Sequence, residues 1–195
     1  MKTKVNEVLE YYAKLCKKVY KKKSLYFEKD FNNLYISNGD FVVVFDINVY
    51  REAYDIIQDY FNFKWDKTTK YVVAKDGIVD LSVLSIKENV QKTFNGQGIE
   101  NKNDESMSIY YTGINAEYIA NKTQNDVWTD GNKLFVYNDL YVKPFKNITV
   151  NTIPINSKNA YAAHYGFYST HVFVMPMIKE ATLDRFFDIV SKPET

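Results

Sequence analysis

Six lysines crowd one short stretch of the chain: Lys14, Lys17, Lys18, Lys21, Lys22 and Lys23, with Tyr20 and Tyr26 close by. Positions 14, 17, 18 and 21 recur at helical spacing, so on a helix they share one face. Such a row of ammonium groups has two uses. It is a solvated surface that also complements the negative end of a helix dipole. It is equally a track for a phosphate backbone, each neutralised phosphate adding a salt-sensitive increment of affinity. The other reactive residue types give no comparable pattern. His164 and His171 lie in strand-like sequence and would pair on a metal only if folding supplied an acidic partner. The single cysteine, Cys16, falls on an apolar helix face and reads as a small buried hydrophobe, not a nucleophile. Carboxylates are dispersed, and Asp76 and Asp80 flank a hairpin as ordinary turn chemistry. There is no Gly-x-Gly-x-x-Gly, no Walker-type Gly-Lys-Ser/Thr and no His-Glu-x-x-His. The expectation is a protein without catalytic residues, metal or cofactor.

Composition bounds the rest. The chain has 195 residues, 46% of them hydrophobic, enough for a real core. Its 17 Tyr and 13 Phe, set against 7 Gly and 4 Pro, favour regular elements joined by polar turns. A net charge of +1 gives no whole-molecule field, so local clusters decide the electrostatics. One cysteine, no apolar leader and no window of about 18 apolar residues predict a soluble, cytoplasmic protein with no membrane partner.

The elements that must position the lysines begin with a helix over about Thr3 to Tyr20. Val5, Val8, Leu9, Tyr12, Leu15, Cys16 and Val19 form one apolar stripe opposite the lysines, with Thr3 as its N-cap. Strands follow at Ser24–Glu28, Asn33–Ser37 and Phe41–Asp46, the last two joined by the hairpin signal Ser37-Asn-Gly-Asp40. A second helix over Ile47 to Phe61 carries a broad apolar face that includes Val49 and Tyr60. Lys70–Ala74 and Ile78–Leu84 read as a second hairpin around Lys75-Asp-Gly77, and Ser85 caps a short helix to Thr93. Phe94 to Ser106 is polar and reads as a linker or mobile loop between domains at 1–94 and 107–195.

The second half repeats this grammar: a strand Met107–Thr112, a helix Asn115 to Thr123, then strands at Asp126–Thr129 and Lys133–Tyr137 about the turn Asp130-Gly-Asn132. Strand-like stretches Leu140–Phe145, Ile148–Ile155 and Ala160–Tyr168 precede His171–Ile178, the longest nearly unbroken apolar run, and Glu180 to Val190 reads as a last helix. Short hairpin connections leave no room for parallel crossovers. The expected class is therefore α+β, with mostly antiparallel sheets and helices on one face.

Phe173-Val-Met-Pro-Met177 resembles the C-terminal end of bacterial DNA polymerase sliding clamps. Ile114-Asn-Ala-Glu-Tyr118-Ile119 resembles the segment that opens a clamp domain's second helix, and Leu34–Phe41 the early strand–turn–strand of clamp-like phage proteins. The resemblance implies repeated β-α-β-β-β units and a non-enzymatic processivity protein from a phage or mobile element. It implies homo-oligomers, a lysine face that slides on duplex DNA, and replication proteins held by peptide motifs. Phe173, Met175, Pro176 and Met177 would then line the peptide pocket. Near the C-terminus, Leu183, Phe186 and Phe187 are spaced as in the motif by which replication proteins hold a clamp, with Glu180 where that motif has Gln. This supports an alternative: an inhibitor or adaptor that engages a host clamp or another partner through that helix.

Overall fold

A computed structural model of the chain describes residues 2–63, 69–80, 85–94, 106–118, 123–154 and 161–177. Among them are four α-helices and eleven strands, and every strand pairing resolved is antiparallel. The fold class is α+β. The chain forms two compact units, one from residues 1–95 with 166–173, the other from 96–165 with 174–195.

The first unit is built on helix α1 (Lys2–Val19). All seven residues of its apolar stripe, from Val5 to Val19, are buried. The helix starts at Lys2, so Thr3 lies inside it and is not its cap. Strands β1 (Leu25–Lys29), β2 (Asn33–Ser37) and β3 (Phe41–Asp46) follow. After helix α2 (Arg51–Phe61) come β4 (Thr69–Ala74) and β5 (Gly77–Asp80), and the strand order is β5-β4-β1-β2-β3-β11, with β11 at Thr170–Val174. Gly39 takes φ 86°, the left-handed backbone that the β2–β3 turn requires, while the Asn38 carboxamide accepts from the Asp40 and Phe41 amides.

Helices α1 and α2 cover one face of this sheet, where Phe41 meets Tyr12 and Phe27 meets Phe61 at 5.3 Å between ring centroids in each case. Helix α3 (Ile86–Phe94) packs on β1 and β2 from the other face. Side chains alternate along β1, so Glu28 points away from Phe27 and toward α3. Its buried carboxylate accepts from the Ser85 hydroxyl and the Lys87 amide, and Ser85 Oγ accepts from the Glu88 amide at 3.1 Å. The expected Ser85 cap is present, reinforced by a second acceptor at the positive end of the helix. Helix α2 begins at Arg51 and not Ile47, because the Asp46 carboxylate accepts from the Asn48 and Val49 amides and holds 47–50 as a turn.

In the second unit the strands are ordered β10-β9-β6-β7-β8. These are β6 (Ser108–Tyr118), β7 (Thr123–Thr129), β8 (Leu134–Asn138), β9 (Val150–Pro154) and β10 (Tyr161–Phe167). Two expectations fail here. Residues 115–118 are strand, not helix: β6 continues to Tyr118 and pairs with β7 from Asn115↔Asp126 to Tyr118↔Thr123. A register shift between Tyr111 and Asn115, with Gly113 at φ 83°, lets the strand continue past the bend. The buried strand β7 needs a hydrogen-bonding neighbour on each side, and that outweighs the helix propensity of a few residues. Asn115 accepts from the Tyr111 hydroxyl at 2.6 Å instead of capping a helix.

Leu140–Phe145 is likewise helical, not strand: α4 (Asp139–Val142) runs into a 3-10 turn Lys143–Phe145. The Asn138 side chain caps it by accepting from the Leu140 amide at 3.0 Å. Tyr141, Val142 and Phe145 then bury at helical spacing. Of the expected linker, Phe94 to Ser106, Phe94 ends α3 and residues 95–105 lie outside the described residues, as does the expected last helix, Glu180 to Val190.

Candidate functional site

The lysine cluster sits where α1 ends. The Tyr20 amide donates to the Cys16 carbonyl, and the Lys22 and Lys23 amides both donate to the Val19 carbonyl, which tightens the last turn before β1. Lys21, Lys22 and Lys23 therefore leave the helix proper and fan out around its end. The six cations have different surroundings. Lys14 is paired with Glu10 one turn earlier at 2.9 Å, and Lys23 with Asp40 of the β2–β3 turn. Lys17, Lys18, Lys21 and Lys22 pair with no carboxylate among the described residues. Lys18, Lys21 and Lys22 are exposed, and Lys17 is half-buried.

Aromatic rings stand beside two of these four. Lys17 Nζ lies 4.8 Å from the centroid of the Tyr60 ring, and Lys21 Nζ 5.8 Å from that of Tyr20. The Tyr20 and Tyr60 rings meet edge to face at 6.0 Å with their hydroxyls 3.5 Å apart. That hydrogen bond, together with partial burial, raises the Tyr60 phenol above its ordinary pKa, against the pull of Lys21 and Lys17. Tyr60 is 42% exposed although its helix was expected to bury it. The sequence held a signal: the apolar residues from 47 to 61 span too wide an arc for one stripe, and Val49, in the turn before α2, and Tyr60, near its end, are exposed. The helix stops on time because Asn62 takes a left-handed backbone, its amide donating to the Gln58 carbonyl, which turns Phe63 back onto Phe27.

The other candidates are placed as follows. Phe173 is buried at 3% exposure in β11, Met175 and Pro176 are half-buried, and Met177 is 36% exposed with its amide donating to the Val136 carbonyl at 2.9 Å. Leu183, Phe186 and Phe187 lie outside the described residues. His164 sits on β10 opposite Asn151, and His171 stacks on Phe173, burial lowering its pKa. Cys16 is fully buried, which pushes its thiol up to about 12 and makes it a core residue. Among the described residues no three His, Cys, Asp or Glu side chains gather as for a metal, and no helix is long and apolar enough to cross a membrane.

One charged cluster escaped the sequence reading. Asp126, fully buried on β7, is bound by Lys146 Nζ at 2.9 Å to Oδ1 and 2.8 Å to Oδ2, and that ammonium also lies 4.7 Å from the Tyr111 ring centroid. Burial raises the Asp126 pKa more than Lys146 lowers it, while the carboxylate raises Lys146 against its own desolvation. Nothing in a strand-like stretch marks which Asp will meet a lysine 20 residues on. This pair ties the end of the 3-10 turn to the sheet. No protein-family model matches the chain, and no curated protein matches it.

Proposed function

We propose that this chain is a non-enzymatic, cytoplasmic protein that holds nucleic acid by its phosphates without reading sequence, as a clamp-like accessory of DNA replication. The observation that carries this reading is the set of four lysines, Lys17, Lys18, Lys21 and Lys22, which meet no carboxylate among the described residues, at the end of a helix whose apolar face is buried. Lysines with partners would have to break an ion pair to meet a phosphate; these do not. Their anchoring also supports it, since the opposite face of α1 is locked in the core and the ammonium groups are displayed from a rigid base. The order α1-β1-β2-β3 followed by α2-β4-β5 is a helix-then-strands grammar used twice in the first unit, in keeping with clamp resemblance. The second unit gives no such support, because β6 runs through the segment that would open its helix.

The test is duplex DNA binding by fluorescence anisotropy over a series of salt concentrations. Four phosphate contacts predict a slope of about −3.6 in log affinity against log salt. Replacing Lys17, Lys18, Lys21 and Lys22 by Glu should abolish binding, whereas unchanged binding would overturn the assignment. Solution mass tests the clamp-like part: a ring-sized oligomer supports it and a monomer leaves only nucleic-acid binding.

A further inference from the structure

Beside the lysine cluster, between the ends of α1 and α2 and the β4–β5 hairpin, lies an open groove of about 370 Å³. Its walls include Tyr20, Tyr60, Phe61, Lys75, Gly77 and Ile78. That volume is at the small end of the ~300–1,000 Å³ typical of ligand pockets, room for a planar ring system but not for a folded partner. All of these residues belong to the first unit.

We propose that this groove takes an unpaired nucleobase of a single-stranded nucleic acid, while the phosphates of the same strand lie on Lys17, Lys21, Lys22 and Lys75. This rests on the phosphate-binding reading above and adds to it: beyond the backbone contacts that duplex and single strand share, the groove favours strand that is not base-paired. Three observations carry it. First, the groove mixes ring and aliphatic surface with polar groups, and cations stand at its edge. Ile78 is 47% exposed and Tyr60 42% exposed, and Lys75, like the α1 lysines named here, pairs with no carboxylate among the described residues. Exposed ring and aliphatic surface within reach of ammonium groups complements a base attached to a phosphate.

Second, the rings are held in place before anything binds. Tyr60 packs edge to face on Phe61 at 4.9 Å and on Tyr20, Tyr20 packs on Phe61 at 5.6 Å, and Phe61 stacks on Phe63, itself stacked on Tyr71. Exposed Tyr60 and half-buried Tyr20 form the outer end of an aromatic column rooted in the core, so little side-chain entropy is lost on stacking. Third, a base within a duplex is already stacked on both sides and cannot enter a groove without being extruded, which costs a few kcal/mol. A single strand has no such barrier, so the groove separates the two forms where lysines alone would not.

The test is anisotropy of the full chain with four probes of equal length: a deoxyribose single strand, its ribose counterpart, its duplex, and a single strand with abasic sites. Stacking of one base on an aromatic side chain predicts that the wild-type protein binds the base-bearing strand roughly 5- to 150-fold more tightly than the abasic one. Tyr60→Leu, which keeps apolar bulk, should remove most of that ratio by lowering base-bearing affinity far more than abasic affinity. Ile78→Ser, on the exposed hairpin, should reduce the ratio as well and covers the case in which Tyr60→Leu fails to fold. The deoxyribose and ribose probes show which backbone is preferred. Equal binding of base-bearing and abasic strands, or equal loss of both in Tyr60→Leu, overturns the groove while leaving the lysine reading standing. No binding of any probe overturns both.

Discussion

The two units of this chain treat charge differently. In the first, the core between the sheet and helices α1 and α2 is apolar and aromatic, the buried carboxylate of Glu28 lies on the other face beneath α3, and lysines collect outside at the end of α1. In the second, a carboxylate with no exposed surface lies on the central strand β7, and one lysine is committed to it. Lys146 and Lys18 are the same residue type in different employment. The one is bound at 2.8–2.9 Å and stacked near a tyrosine ring, the other faces solvent with no partner among the described residues. The difference teaches where to look for function. A cation that completes a buried pair is structural, because losing it strands its partner, whereas cations displayed on a rigid helix end are available to a ligand.

The largest effect expected on either side of this contrast is in the first core. Tyr12 is fully buried against Tyr11 and Phe41, so Tyr12→Ala should cost ~3–5 kcal/mol in urea unfolding. In the second unit, Lys146→Ala leaves Asp126 buried without its ammonium and should cost ~3 kcal/mol, with Asp126→Asn added to Lys146→Met recovering much of the loss. A small effect of Lys146→Ala would break the comparison, since Asp126 would then not need its cation. Next comes the α3 cap: Ser85→Ala should destabilise by ~1 kcal/mol, softened because Glu28 still accepts from the Lys87 amide. Smallest of all, changing Lys18 or Lys22 singly to Ala should move stability by no more than ~0.5 kcal/mol. A larger shift would make those lysines structural and end the contrast.

Acid titration sharpens the same point with opposite signs. Burial would raise Asp30 in the first unit, but its hydrogen bonds with Lys87 and the Asn33 and Asn32 amides bring it below its ordinary 3.8. Its contribution to stability is present above 3.8 and lost as pH falls through its lower, folded value. Asp126 in the second unit is raised, so the native protein takes up that proton first. Its charged form therefore costs stability above the folded pKa, and acidification from there toward 3.8 relieves the cost. Carboxyl NMR titration should place the midpoint of Asp126 above 3.8 and that of Asp30 below it. The reverse order would show that the Lys146 pairing outweighs burial.

Much of the first unit was legible in the residues. Every position of the α1 stripe is buried, and the Asn-Gly and Asp-Gly hairpins and the Ser85 cap stand where expected, because each depends on neighbours within a few positions. The candidate site was legible in part: the lysines were visible, but not which of them would be neutralised, nor that Tyr60 would stand exposed beside them. Residues 115–118 were misread as helix for the same kind of reason. Their conformation is dictated by β7, a strand whose own burial depends on β8.

By itself, then, the sequence determined the α+β class, the helix that carries the lysines and the apolar face that anchors it, since periodicity and turn chemistry are local. Only the tertiary structure decided which cations are paired, by bringing Asp40 to Lys23 across 17 residues while Lys17, Lys18, Lys21 and Lys22 meet no carboxylate among the described residues. The same holds for the groove beside them, whose walls come from α1, α2 and a hairpin that no spacing rule connects. Charge pairing and exposure are properties of neighbours in space, and spatial neighbours distant in the chain exist only once the sheet is formed.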